Sequence, residues 1–319
     1  MKKHNKKFFI KKLFLVFFTA LILFINACAT IPKNSLDSAT GDFDLLPSGG
    51  DMYMWANVAE VTPLLKIISF DDLNLKDASA ILDRTDTAAA VFTGSGSERF
   101  FINTRGKYPT FQAGFSLTFS RDWKKIKNAA GNPYWNSKKF GVGLVLDSQT
   151  SLVSTGDPFA RLPSAQIPPV RIPLGFDEFR KGAVMSGWIA DPQKVVNDFL
   201  VSLGIPIQLP AEDFFFNIEK SKNVNNEDLW ELVFFVRTPS VNQARALTTL
   251  FALARVFIGT VGGNQFSIER KDMSDFLPAL FYNQPEREDA ALTLRSDVFT
   301  TEDMSLLFHA ISVYSKSEE

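Results

Sequence analysis

Two periods of apolar residues run along this chain, one of two residues and one near 3.6, and the switches between them mark out its elements. The stretches "TAAAVFT" and "RFFINTR" flank "GSGSE", and "DFFFNIEK" and "LWELVFFVR" flank "SKNVNNED". Runs of β-branched and aromatic residues separated by turn formers predict two β-hairpins. Each hairpin is preceded by a short apolar strand carrying a tryptophan, Trp55 in "MYMWANVAEVTPLLKII" and Trp188 in "MSGWIADPQKVVNDFL". After each tryptophan, Thr62-Pro63 and Asp191-Pro192 set a capping side chain before a proline at the first helical position, where its missing N–H costs nothing. In the second stretch Val195, Val196, Phe199, Leu200 and Leu203 recur at helical spacing.

A further helix follows each hairpin, opened by Pro109 in "KYPTFQAGFSLTF" and by Pro239 in "RTPSVNQARALTTLFALARVFI". The interval from Pro63 to Pro109 is 46 residues and that from Pro192 to Pro239 is 47, so the pattern reads as a tandem duplication of a β-α-β-β-α unit. The copies finish differently. The first ends in "FGVGLVLD" and "TSLVSTG", a hairpin around Ser148. The second ends in "QFSIERKDM", "DFLPALFY", a strand "AALTLRSDVF" and a helix from Thr301 with Met304, Leu307, Phe308 and Ile311 on one face. Between them five prolines fall within Pro158–Pro173, which predicts an extended surface connector. The expected fold class is α+β, antiparallel sheet covered by amphipathic helices.

The amino terminus obeys different rules. Six lysines and no acid precede an uncharged run from Leu13 to Ala27, 15 residues long and short of the ~20 that cross a bilayer. A basic head, a short apolar middle and a small residue before the cut make a secretory signal. The run ends at Cys28, the chain's single cysteine. Ile25-Asn26-Ala27-Cys28 resembles the lipobox of bacterial lipoproteins, with Asn26 departing from the usual small or apolar residue as it does among spirochaetal members. That resemblance implies cleavage before Cys28 and attachment of diacylglycerol and fatty acyl groups, such as palmitate, to it. Each buried methylene contributes ~0.8 kcal/mol, so two or more chains hold durably. Ala29 stands where an aspartate would resemble an inner-membrane retention signal, which points to the outer membrane of the cell envelope.

The expected organisation is then a signal peptide at 1–27, acylated Cys28 with a flexible tether to residue 50, a first repeat at 51–157, the connector at 158–182 and a second repeat at 183–319. The tether is read from its Ser, Gly, Pro, Thr and Asp content, and 22 flexible residues would span roughly 25 Å. Removing the signal leaves 28 basic against 35 acidic side chains, a net charge of −7. An acidic body argues against nucleic acid as a partner, and against simple electrostatic adhesion to anionic lipid.

Chemistry finds little to work with. His309, in the last helix, is the only histidine beyond the signal, and no thiol accompanies it. A Cys/His pair or a zinc site is therefore excluded, and no serine stands in a G-x-S-x-G context. The glycine-rich "GSGSERFF" lacks a G-K-[ST] ending and joins two strands, so it is a turn and not a phosphate loop. The acid pairs Asp71/Asp72, Glu212/Asp213 and Glu288/Asp289 read as solvated charges, with a two-carboxylate hydrolase as the remaining enzymatic alternative. No enzymatic activity, metal or soluble cofactor is expected.

The 31 phenylalanines are the oddity. Phe111, Phe115 and Phe119 form an aromatic stripe along one helix, and residues 246–261 carry only Arg255 as a charge. Such helices either fill a core, or wall an apolar cavity, or lie in a bilayer. Phe111, Phe115, Phe119, Leu250, Phe251, Phe257 and Ile258 are the candidate contacts for membrane lipid or an apolar ligand. In its lipobox and Phe-rich helices the chain is similar to treponemal membrane-inserting lipoproteins. That resemblance implies a non-enzymatic envelope lipoprotein that engages lipid directly. A module holding an apolar ligand between its repeats, and a scaffold for an envelope protein complex, are the alternatives.

Overall fold

The computed structural model describes residues 41–67, 82–93, 99–164, 166–194, 197, 208, 210–261, 276–280 and 282–314, without the side chains of 66, 67, 254, 257–261, 277 and 309–314. The signal segment, Cys28, Asp71/Asp72, the helical stripe at 195–203, "QFSIERKDM" and the side chains of Phe257, Ile258, His309 and Ile311 lie outside that description. The chain divides into two compact units between Ile172 and Pro173.

In the first unit β1 (Met52–Asn57) leads into α1 (Val58–Ile67). The hairpin β2 (Thr85–Phe92) and β3 (Phe100–Gly106) follows, then α2 (Thr110–Phe119). Strands β4 (Trp123–Lys127), β5 (Pro133–Ser137), β6 (Val142–Leu146) and β7 (Thr150–Thr155) complete an antiparallel sheet in the order β1-β2-β3-β7-β6-β5-β4. The hairpin expected around Ser148 is β6–β7, with Val142 opposite Thr155 and Leu146 opposite Ser151. Val91, Phe92, Phe101, Ile102, Leu144 and Leu152 are among its fully buried side chains.

Three expectations need correcting here. Pro63 lies inside α1 and does not open it. The helix begins five residues earlier, where Asn57 Oδ1 accepts from the Glu60 N–H (3.4 Å). At that depth proline forfeits the bond that its own N–H would have made to the Ala59 carbonyl, while the Thr62 hydroxyl beside it donates to the Val58 carbonyl (2.6 Å). The second correction concerns the tether. Residues 41–50 are docked, with Phe43, Leu45 and Leu46 buried and Leu46 fully so. Backbone bonds run from Ser48 N to Pro168 O (3.0 Å) and from Val170 N to Leu46 O (3.0 Å). Scattered apolar residues in a polar context escaped a composition argument, yet three are enough to bury. Third, the proline-rich connector holds a 3-10 turn, Pro158–Arg161, capped by Asp157 accepting from the Phe159 N–H (3.0 Å). Proline is disfavoured in a helix interior but suits the start of a helix, which Pro158 occupies here.

The second unit carries α3 (Phe176–Phe179), β8 (Ala183–Ile189), helical residues at 192–194 and 197, and the hairpin β9 (Asp213–Lys222) and β10 (Asp228–Arg237). Asp191 caps the helical residues as expected, accepting from the Lys194 N–H (3.1 Å). After the hairpin come α4 (Val241–Val261), α5 (Leu277–Leu280), β11 (Glu286–Glu288), β12 (Ala291–Arg295), β13 (Phe299–Thr300) and α6 (Thr301–Tyr314). The antiparallel order is β8-β9-β10-β12-β11, with β13 also on β10. Phe176, Phe179, Trp188, Phe215 and Phe235 form one aromatic cluster, with Phe215 stacked on Phe235 at 5.2 Å. Met304, Leu307 and Phe308 of α6 are buried on one face. After α3 the second unit runs strand, helical residues, antiparallel hairpin and helix, the order of β1 to α2 in the first unit, and in each the first strand pairs with the second and the second with the third.

Candidate apolar contact surfaces

The chain enters α2 through a rigid anchor. Gly106 ends β3 so close to its neighbour that a Cβ there would lie 2.0 Å from the Arg84 carbonyl oxygen. Two residues on, the buried Tyr108 hydroxyl shares hydrogen bonds with Thr104 Oγ1 (2.7 Å) and Thr85 Oγ1 (3.1 Å). Burial outweighs these bonds and pushes the phenol up to about 12. Pro109 then opens the helix, its carbonyl accepting from the Ala113 N–H (3.0 Å), and Ser120 ends it in an extended conformation.

From this anchored start α2 turns one side chain inward. Leu117 is the helix's buried residue. It follows Phe115 by two positions, which is ~200° around an α-helix, so the aromatic stripe faces the other way. Phe111, Phe115 and Phe119 are 84%, 63% and 72% exposed. Phe115 and Phe119 tilt against each other with centroids 4.7 Å apart. Single exposed apolar side chains are ordinary, but these three rings lie together on one helix as an exposed apolar patch. Residues 108–120 contain no acidic or basic side chain.

In the second unit α4 shows the same division less sharply. Ser240 caps it, accepting from the Gln243 N–H (3.3 Å). Ala244 and Leu247 pack against Ala211, Val236 and Leu292, and Phe251 joins them partly buried. Phe251 is thus shared between the core cluster and the surface. Leu250 is 39% exposed, whereas Leu253 and Val256, which the sequence argument passed over, are 62% and 64% exposed. Their spacing of three residues carried the signal, but the aromatic neighbours drew attention first.

The acid pairs inside the described residues are dispersed. Glu212 is exposed, Asp213 meets Arg237 (3.1 Å), and Glu288 and Asp289 sit at the exposed end of β11 with Asp289 at a positive φ. Arg295 binds both Glu219 (3.1 Å) and Glu231 (2.8 Å), beside an open polar groove lined also by Asn283, Gln284 and Thr293. Among the described residues no cluster of three His, Cys, Asp or Glu side chains has metal-binding geometry, and no helix is long and apolar enough to cross a membrane.

No protein family and no curated protein matches this chain by sequence. Its fold does match solved structures of TP0453. Crystal form III aligns with a TM-score of 0.56 at 15% identity, covering 86% of this chain and 99% of that one. Crystal form IV gives 0.56 at 16% identity and form I gives 0.53 at 18%, with the same share of this chain covered. At these identities the likeness is one of fold.

Proposed function

We propose that this chain is a non-enzymatic lipoprotein of the cell envelope, acylated at Cys28 and held at the outer membrane, whose body touches the bilayer through α2 and α4. The carrying observation is the exposure of Phe111, Phe115 and Phe119, three rings on a helix without charge. Fully burying one such ring contributes ~1.5–3 kcal/mol, so the stripe suffices for interfacial binding. The lipobox at Ile25-Asn26-Ala27-Cys28 supports the reading, and the likeness of fold to TP0453 is compatible with it. With residues 41–50 docked, the 12 residues from Ala29 to Thr40 connect Cys28 to the body, a reach of at most ~40 Å. Such a leash keeps α2 near lipid. The common β-α-β-β-α order supports descent of the two units from one duplicated ancestor.

The alternative of a module closed around an apolar ligand calls for an apolar cavity, whereas the groove beside Arg295 is polar. Liposome flotation of residues 28–319 carrying Cys28→Ala tests the proposal. The protein should float without any acyl group, and Phe111→Ser, Phe115→Ser and Phe119→Ser together should abolish flotation while leaving the fold intact. A Cys28→Ala protein that stays wholly soluble would overturn it.

A further inference from the structure

The net charge of −7 conceals a segregation. Residues 107–140 carry seven basic side chains (Lys107, Arg121, Lys124, Lys125, Lys127, Lys138 and Lys139) against Asp122 alone, so the rest of the chain from Cys28 on carries −13. All seven are exposed. Lys139 meets Asp122 (3.6 Å) and Lys125 lies over the Trp135 ring (5.8 Å). Among the described residues Arg121, Lys124, Lys127 and Lys138 have no carboxylate partner.

Position makes this charge useful. Strand β4, "WKKIK", packs beside α2 and follows it after only Ser120, Arg121 and Asp122. Among the described residues it pairs with β5 on one side and ends the sheet of its unit. The shelf of ammonium groups therefore starts within a helix's width, ~10 Å, of the exposed phenylalanines. Rings buried to the headgroup boundary would bring these flexible side chains to phosphate depth. The acidic remainder acts weakly there, since physiological salt screens exposed charges beyond ~8 Å.

We infer that α2 and β4 form one composite surface, an aromatic wedge with a basic shelf, that selects bilayers bearing anionic headgroups. This rests on the reading of α2 as a bilayer contact and adds the lipid class. It also reverses the expectation, drawn from net charge, that anionic lipid would not attract this protein.

Lysines on a sheet edge also discourage strand addition by other chains, and the experiment separates the two roles. Residues 28–319 with Cys28→Ala are titrated with vesicles of phosphatidylcholine alone and of equal phosphatidylcholine and phosphatidylglycerol. A basic side chain at an anionic surface strengthens binding ~5-fold. The variant Arg121→Gln, Lys124→Gln, Lys125→Gln and Lys127→Gln should thus lose roughly 100-fold or more on the anionic vesicles, less at high salt, and under about 2-fold on the neutral ones. A control losing four charges at the exposed Lys181, Lys194, Lys222 and Arg287 should bind as the parent does, and circular dichroism verifies the fold of each. Equal binding of parent and shelf variant to anionic vesicles overturns the inference while bilayer contact stands. Self-association of the shelf variant with unchanged vesicle binding also overturns it, assigning the lysines to edge protection. A parent that binds neither vesicle overturns both readings.

Discussion

Tyr108 is where the first unit commits the direction of α2. Its hydroxyl is enclosed with Thr85 and Thr104, and burial makes the phenolate unfavourable, so the phenol is pushed up to about 12 from an ordinary 10. A raised value in the folded state means the neutral phenol stabilises the fold below pH 10 and that this stability drains as the pH rises from 10 to 12. Two units correspond to ~2–3 kcal/mol. Urea denaturation between pH 8 and pH 12 should show that decline, and Tyr108→Phe should start lower by ~1–2 kcal/mol, having lost two hydrogen bonds, and fall less steeply. The decline left in the variant is assigned to Tyr53 and Tyr134, also raised by burial. Parallel pH profiles for the two proteins would show that the phenol does not anchor this turn.

At the scale of elements, α4 separates packing from exposure within one helix. Leu247 sits against Val236 and Leu292, while Leu253 and Val256 face outward. Leu247→Ala should cost ~2–4 kcal/mol in chemical denaturation, whereas Leu253→Ser should change stability by less than ~0.5 kcal/mol. A large cost at Leu253 would mean that face is packed. Element types were legible where one period dominated: both hairpins, the β6–β7 pair and the face of α6 follow from the alternation. Strand ends were less so, since β9 and β10 run on through Ser221, Lys222 and Asp228, positions whose polarity looked like loop. Pro63 misled because proline reads the same in the first turn and one turn later. Which face of α2 is buried could not be read at all. Leu117 and the phenylalanines are equally apolar, and only the approach of the chain through Gly106 and Tyr108 decides between them.

For the molecule as a whole, both units bury phenylalanines, Phe92 and Phe101 in the first and Phe176, Phe215 and Phe276 in the second, and α2 departs from that by leaving three rings in water. A folded protein that exposes such a patch is poised for a partner, and the adjoining run of basic charge indicates its sign. Net charge taken over the chain erased that signal, since seven of the 28 basic side chains lie in 34 residues. The lone cysteine turns from a clue into a tool. With Cys28→Ala the chain has no thiol, so Phe115→Cys introduces a single one for a nitroxide label. Accessibility of that label to oxygen and to a water-soluble nickel complex reports its depth. On vesicles containing phosphatidylglycerol the label at 115 should become oxygen-rich and shielded from nickel, several ångströms below the phosphates; a label that stays as open to nickel as in buffer would contradict insertion of α2 into lipid.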